Sequence, residues 1–223
     1  MLNKEFIKGI KTAIPVTLGY LPIGLAFGIL ASQQGLSPVD IFFMSLLVYA
    51  GSAQFIASAM LASGSAYITI IVTTFLINLR HLLMSASMSP YLKHISSPLL
   101  TLISIGITDE TYAAGYAETA TGKASPYFYL GLYGLSHIIW IMSTVLGSIV
   151  GSHIANPEKW GLDFALSAMF IGLLFMQIKD RKDIFVAISS GVLSVALAYF
   201  MKNNFNIITA TIVAAFIGVC LEK

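Results

Sequence analysis

The chain has 223 residues, of which 57% are hydrophobic and only 10% are charged, and its formal net charge is +2. A soluble protein of this length cannot bury so large an apolar fraction, because small proteins keep a large surface, so the composition excludes a soluble globular domain. The low net charge without a basic run argues against a nucleic-acid-binding protein, and the single cysteine, Cys220, excludes an internal disulfide and a cysteine metal cluster.

Apolar runs separated by turn residues predict an all-α, polytopic membrane protein with about eight transmembrane helices. A helix needs about 20 residues to cross a bilayer, and the short gaps between the runs leave no room for a soluble domain. We therefore interpret residues 1–223 as one transmembrane domain in contact with membrane lipid. The predicted spans cover residues 12–31, 40–62, 67–89, 98–117, 127–152, 161–178, 184–200 and 205–221.

Lysine and arginine residues indicate the orientation of the chain, because cytoplasmic loops are enriched in both. With eight spans and a cytoplasmic N-terminus, eight of these residues lie on the cytoplasmic side, three lie outside and Arg80 lies within a span. The fourth span contains two acids, Asp109 and Glu110, but leaving it out gives a worse distribution. The sequence thus predicts a multi-pass protein of the cytoplasmic membrane with both termini in the cytoplasm.

The first span contains helix-breaking residues, namely Pro15, Gly19, Pro22 and Gly24. Proline removes a backbone donor and clashes with the carbonyl four residues earlier, and backbone groups freed inside a membrane must line protein or water. One interpretation is a discontinuous helix whose half-helix end faces an anion. The other is a simple packing kink.

A weak internal repeat links the two halves of the chain. The pattern Gly24-Leu-Ala-Phe-Gly28 resembles Gly147-Ser-Ile-Val-Gly151, and Asp40 and Asp163 are separated by the same 123 residues. This offset predicts a two-fold repeat with units 10–118 and 126–221, and four-span units that start on the same side would be parallel. The alternative is chance, because paired small residues are common packing devices in membrane helices.

The second span contains the small-residue cluster Gly51-Ser52-Ala53-Gln54 near its middle. Such a cluster opens backbone groups to a ligand in the broken helices of transporters. It equally suits tight helix packing with an interhelical hydrogen bond from Gln54.

The third span contains Asn78, Arg80 and His81. An ionisable residue in a span costs about 2.5–3.5 kcal/mol on insertion scales, so it needs a reason to persist. Successive helical residues lie 100° apart, which places Asn78 and His81 on one face and Arg80 on another. The planar guanidinium of Arg80 suits the carboxylate of a substrate, an internal ion pair with Asp109 or Glu110, or a position at the outer surface.

The fourth span contains two adjacent acids in Thr108-Asp109-Glu110-Thr111. Acids at this depth are candidate proton carriers, or one neutralises Arg80 while the other faces water. An enzyme with a metal site built from these acids, His81 and His137 is the competing class. The chain has neither a metalloprotease motif nor a nucleophile-elbow motif, so we predict no metal, no cofactor and no enzyme activity.

These motifs occur in the order and spacing found in the AzlC-type branched-chain amino acid permeases, which the chain resembles most densely over residues 15–115. The resemblance implies an inner-membrane exporter of branched-chain amino acids that works with a separate small hydrophobic subunit of the AzlD type. It does not assign roles to individual residues. The stretches that carry it are Tyr20-Leu-Pro-Ile-Gly24 with Ala26-Phe-Gly28, Ser45-Leu-Leu-Val-Tyr-Ala-Gly-Ser-Ala-Gln-Phe55, Thr74-Phe-Leu-Ile-Asn-Leu-Arg-His-Leu-Leu83 and Thr108-Asp-Glu-Thr111.

The residues and the resemblance together suggest a secondary transporter, because the chain carries no ATP-binding motif. We expect Arg80 to hold the substrate carboxylate and proton entry to drive export. A transporter of another small amino acid or an organic anion, or a non-transporting membrane subunit, remains the alternative. The expected substrate-binding residues are Arg80, Gln54, Asn78, Gly51 and Ser52, and the expected proton-coupling residues are Asp109, Glu110 and His81.

Overall fold

A computed structural model of the chain describes residues 2–154, 159, 161–178, 180–200 and 205–222. Every regular element in these ranges is helical, which confirms the all-α prediction. The α-helices are α1 (Leu2–Gln33), α2 (Pro38–Leu47), α3 (Gly51–Ala62), α4 (Tyr67–Met88), α5 (Ser97–Ile105), α6 (Asp109–Thr119), α7 (Pro126–Gly151), α8 (Ala165–Gln177), α9 (Arg181–Phe200) and α10 (Phe205–Glu222).

Four stretches of the described chain are long and apolar enough to cross a membrane by length and composition, and they belong to α1, α4, α7 and α9. The stretch in α9 and the stretch that includes α4 are the clearest cases of lipid-facing segments, because 0% and 6% of their most apolar windows are buried within the chain. The chain is thus a helical membrane protein, as predicted, while the count of eight spans stays a prediction.

Two of the predicted spans are broken into half-helices. The second predicted span consists of α2 and α3, separated at Val48-Tyr49-Ala50, and the fourth consists of α5 and α6, separated at Gly106-Ile107-Thr108. Tyr49 adopts a left-handed conformation with φ 43°, which costs about 1–3 kcal/mol for a residue other than glycine. Both half-helices that follow a break, α3 and α6, therefore begin inside a predicted span.

Of the two interpretations of the first span, the discontinuous helix is wrong, because α1 continues through both Pro15 and Pro22. Each proline removes only one donor from the ladder of hydrogen bonds, and the seven-residue spacing places the two on one face. That face is exposed and includes Gly19, which has open space around it. Gly24 instead faces Ser143 of α7, where it permits close packing.

Helices α1 and α7 run parallel and pack together along most of their length. Gly9 lies against the backbone of Phe128 near the start of α7, and Gly28 lies against the backbone of Thr144 further along. A Cβ atom on either glycine would overlap the partner helix, so these glycines are needed for the close approach. A parallel pair is what four-span repeats would contain, and the repeat with units 10–118 and 126–221 stays a prediction.

The described residues divide into two compact units, one up to Ala168 and one from Met169 onwards. In the second unit, α9 packs against α10 beside a cavity of about 450 Å³ that is lined in part by Asp180 and Asp183. The Asp180 carboxylate accepts hydrogen bonds from the backbone N–H groups of Lys182 and Asp183, so it caps α9. The charged residues of the predicted site all lie in the first unit.

Candidate functional site

The Arg80 side chain, which α4 supplies, joins the starts of two half-helices. Its Nη1 atom lies 2.8 Å from the Asp109 Oδ2 atom, and its Nη2 atom donates a hydrogen bond to the Ser52 hydroxyl. Ser52 is the second residue of α3, and Asp109 is the first residue of α6. Of the predicted arrangements for Arg80, the structure shows the internal ion pair, and the pair lies where both broken spans restart.

The two helix starts beside Arg80 differ in charge: the start of α3 favours a negatively charged group, and the start of α6 already contains two acids. The N-terminus of a helix carries a partial positive charge, and the N-cap residue of α3, Ala50, provides no side-chain hydrogen bond. The Arg80 guanidinium adds a full positive charge beside it. The start of α6 already contains two acids and is capped by the Thr108 hydroxyl, which accepts from the Thr111 N–H. The start of α3 is thus the electropositive side of the site.

The second acid, Glu110, has different partners from Asp109 because neighbouring helical residues point in different directions. The Tyr20 hydroxyl donates a hydrogen bond to Glu110 Oε2 at 3.0 Å and lies 2.6 Å from the Thr108 hydroxyl oxygen. Tyr20 is buried in the middle of α1. The two adjacent acids therefore have different kinds of partner: Asp109 forms an ion pair with a cation, and Glu110 contacts neutral hydroxyl groups.

Gln54 lies away from Arg80, in a buried hydrogen-bond network between α2, α3 and α7. Its Oε1 atom accepts from the Trp140 indole N–H at 2.9 Å, and its Nε2 atom donates to the Ser45 hydroxyl at 3.0 Å. The Ser45 hydroxyl is in turn 2.8 Å from the Thr144 hydroxyl. Gly51 lets the start of α3 approach the same indole, since a Cβ atom there would lie 3.0 Å from Trp140 Cη2. We call these five residues the buried network.

Asn78 and His81 share a face of α4, as predicted, one turn apart. The Asn78 Oδ1 and His81 Nε2 atoms are buried and have no hydrogen-bond partner among the described residues. Buried polar atoms are normally satisfied, so these two mark a place where a further polar group fits. They lie on the same helix as Arg80 and extend the polar site along α4.

The structure places His137 outside the acidic site. Its Nε2 atom lies 3.1 Å from the Ser45 carbonyl oxygen, and its ring stacks on Tyr49 with the ring centres 4.0 Å apart. His137 therefore supports the end of α2 and the residue in left-handed conformation that follows it. Within the described ranges, no three histidine, cysteine or acidic side chains are grouped so that they could hold a metal ion.

Two residues of this region, Tyr20 and Trp140, are not among the predicted site residues. A buried tyrosine hydroxyl or indole N–H needs a hydrogen-bond partner, so each is a polar signal within an apolar span. Their partners, Glu110 and Gln54, are 90 and 86 residues away in the sequence. The sequence thus indicates that Tyr20 and Trp140 need polar partners, but it does not indicate which residues these partners are.

The charged residues of the site lie within a region of the chain that matches a known family. The family model described as "AzlC protein" matches residues 15–154, which include Arg80, Asp109 and Glu110. A Bacillus subtilis protein called "Branched-chain amino acid transport protein AzlC" is 30% identical over 92% of this chain and 80% of its own length. The Escherichia coli "Inner membrane protein YgaZ" is 29% identical over 98% of this chain and 83% of its own length.

An uncharacterized membrane protein of Archaeoglobus fulgidus is 35% identical over 89% of this chain and 86% of its own length. No solved structure matches the chain. The relatives are membrane proteins, and one is named for transport, which supports a membrane transporter. Since the family model covers well over half of the sequence, the chain belongs to the AzlC family.

Proposed function

We propose that this chain is a secondary transporter that exports branched-chain and related hydrophobic amino acids across the cytoplasmic membrane, driven by proton entry. The observation that carries the proposal is the ion pair between Arg80 and Asp109, 2.8 Å apart, at the starts of α3 and α6. The name of the Bacillus subtilis relative supports the substrate class.

An ion pair is complementary to a zwitterion. A free amino acid carries one carboxylate and one ammonium group, so it can insert between Arg80 and Asp109 and replace one ion pair by two. The planar guanidinium binds a carboxylate in bidentate fashion, and the uncapped start of α3 with the Ser52 hydroxyl adds donors for the same group. The Asp109 carboxylate receives the ammonium, and the net charge of the site does not change.

Aromatic side chains beside the acids suit an apolar substrate side chain. The Tyr20 ring centre lies 5.1 Å from that of Trp140 and 6.3 Å from that of Tyr49. These rings form one cluster with Val16. Because Tyr20 also bonds to Glu110, the apolar cluster and the charged groups meet at one residue.

The two acids divide the work of coupling in this proposal. Asp109 is engaged with Arg80 and takes the substrate ammonium, whereas Glu110 is held by neutral hydroxyl groups and exchanges the proton. In an export cycle, the substrate binds from the cytoplasm while Glu110 is ionised. A proton from outside then binds to Glu110 when the substrate has left. Asn78 and His81 offer polar atoms on the same helix as Arg80 for substrate or water.

The proposal also includes the orientation and the partner. Both termini lie in the cytoplasm, on the basis of the distribution of lysine and arginine. A separate AzlD-type membrane subunit completes the transporter, on the basis of the family resemblance. Helix α4 leaves most of its apolar side chains exposed and is available to lipid or to such a subunit.

The test is uptake of labelled leucine, isoleucine, valine and methionine into inverted membrane vesicles, with and without the small subunit. Uptake should require an acidic vesicle interior and should disappear in Arg80→Ala, whereas Arg181→Ala, at the exposed start of α9, should transport normally. Membrane insertion of each variant is measured in parallel. Normal transport by an inserted Arg80→Ala variant would overturn the assignment of the carboxylate site.

A further inference from the structure

We infer that Tyr20 is the positioning residue for proton exchange at Glu110, and that it transmits the protonation state of Glu110 to the break between α5 and α6. This inference rests on the proposed function and adds a residue and a pathway to it. The contact that carries it is the buried Tyr20 hydroxyl, which bridges the Glu110 carboxylate at 3.0 Å and the Thr108 hydroxyl at 2.6 Å.

The hydroxyl groups form a chain that ends on the backbone of the break. The Thr108 and Thr111 hydroxyl oxygens lie 3.1 Å apart. The Thr111 hydroxyl donates to the Gly106 carbonyl oxygen at 2.8 Å. Because Thr108 and Thr111 are fully or almost fully buried, water does not compete for these bonds. The chain runs from a carboxylate to Gly106, the residue that follows α5.

This chain can run in either direction, and the direction decides whether the Thr108 hydroxyl donates to Thr111. When Glu110 is ionised, the Thr108 hydroxyl donates to Tyr20 and Tyr20 donates to Glu110, so Thr108 has no proton left for Thr111, which still donates to the Gly106 carbonyl. When Glu110 binds a proton, its carboxyl donates to Tyr20, Tyr20 donates to Thr108, and Thr108 donates to Thr111. The only species gained is the one proton on Glu110, and every other hydroxyl only rotates. A phenylalanine at position 20 would interrupt the chain in both states.

The other groups around Glu110 do not supply this function. On α6, the neighbouring Asp109 is paired with Arg80 of α4. On α4, His81 is the residue after Arg80. The charge of Asp109 acts on Glu110, and the charge of Glu110 acts on Tyr49, which lies in the break after α2. On α7, His137 stacks on Tyr49. The Tyr20 hydroxyl bonds to the carboxylate itself at 3.0 Å, and the Thr108 hydroxyl, which Tyr20 also contacts, acts on the same group.

The other end of α6 provides a matched control. There the Thr119 hydroxyl lies 2.8 Å from the buried Tyr129 hydroxyl of α7, and Lys8 of α1 pairs with Glu118 at 2.7 Å. The contact between Tyr129 and Thr119 has the same chemistry as the contact between Tyr20 and Thr108. In contrast to Tyr20, Tyr129 donates to no carboxylate among the residues that the structure describes.

The experiment measures leucine transport against pH in vesicles that contain the full chain. Tyr20→Phe should move the pH midpoint of transport upwards by about one unit, because a hydrogen bond donated to a carboxylate favours its ionised form. Incorporation of 3-fluorotyrosine at position 20, which is a stronger donor of nearly the same shape, should move the midpoint downwards. Tyr129→Phe should keep the wild-type midpoint.

A second arm uses Glu110→Gln, which should remove this pH dependence, so adding Tyr20→Phe to it should cause no further shift. A wild-type midpoint in both position 20 variants would overturn the inference while leaving the transporter proposal intact. A shift by Tyr20→Phe that persists in the Glu110→Gln background would also overturn it. Absence of leucine transport by the wild-type chain with its small subunit would instead overturn the proposed function. If Tyr20→Phe does not insert, the fluorotyrosine variant decides by the sign of its shift.

Discussion

The break between α2 and α3 and the break between α5 and α6 each end one half-helix and start another, yet different groups surround them. The buried network around Gln54, which contains no ionisable side chain, holds the first break, and His137 stacks on Tyr49 there. Charged and titratable groups meet at the second break, where α6 begins with Asp109 and Glu110. Arg80 touches both.

This difference indicates that the first break is held rigidly, whereas the second can respond to protonation. A hydrogen-bond network of neutral groups that is fully satisfied keeps one arrangement, because any change would leave a buried polar group without a partner. Acids can gain and lose protons, and their hydrogen bonds change direction when they do. We therefore expect changes in the buried network to affect stability, and changes in the ion pair and at the second break to affect transport and its pH dependence.

The largest effect should come from the ion pair that links the two breaks. Arg80→Ala leaves Asp109 as an uncompensated, partly buried charge, which should lower stability by about 3 kcal/mol or more and abolish transport. Adding Asp109→Asn removes that charge, so the double variant should recover thermal stability in detergent but not transport. Transport by the stable double variant would show that the pair is only structural.

A smaller effect, confined to stability, should follow from Trp140→Phe. The change leaves Gln54 Oε1 buried without its donor and removes part of a core ring, so we expect a loss of about 2 kcal/mol. Because phenylalanine keeps an aromatic ring in the cluster with Tyr20, leucine transport per inserted molecule should stay near wild type. The measurement pairs thermal unfolding with vesicle uptake, and loss of transport at unchanged stability would place the buried network in the binding site.

The two breaks can also be compared through one glycine at each: Gly51 directly follows the first break, and Gly106 begins the second. A Cβ atom at Gly106 would overlap the Tyr133 side chain close to its backbone, whereas one at Gly51 would lie 3.0 Å from the far edge of the Trp140 ring. A ring edge moves more readily than atoms near the backbone, so Gly106→Ala should cost about 1–2 kcal/mol and Gly51→Ala less than about 1 kcal/mol. Thermal unfolding of both variants checks the order, and equal losses would contradict it.

Local patterns in the sequence predicted the helices and the polar positions of this site. The apolar runs predicted a helical membrane protein, and the cost of ions in lipid singled out Arg80, Asp109 and Glu110. Which acid pairs with Arg80 depends on the rotation of α6 about its axis, and that is set by packing against α1 and α4. The pairing of Gln54 with Trp140 joins residues far apart in the chain and carries no local signal.

The positions of the helix breaks also could not be predicted from local sequence. Prolines and glycines signalled a break in α1 that does not occur, because Pro15 and Pro22 lie on an exposed face and the packing of α1 along α7 maintains the helix. The break after α2 does occur at Tyr49, a residue type that gives no warning of a left-handed conformation. Tertiary packing against α7 thus decided both cases.

The smallest effect should distinguish a continuous α1 from one that must open during transport. Gly19 lies in mid-helix with open space around it, so Gly19→Ala should raise stability by about 0.5–1 kcal/mol and leave transport unchanged. Gly24→Ala is the matched contrast, since its Cβ atom would overlap the Ser143 side chain and should destabilise the chain. Both are measured by thermal unfolding and leucine uptake. If Gly19→Ala inserted stably but lost transport, α1 would have to unwind at Gly19 in the cycle, and the contrast between a rigid α1 and the two broken spans would no longer hold.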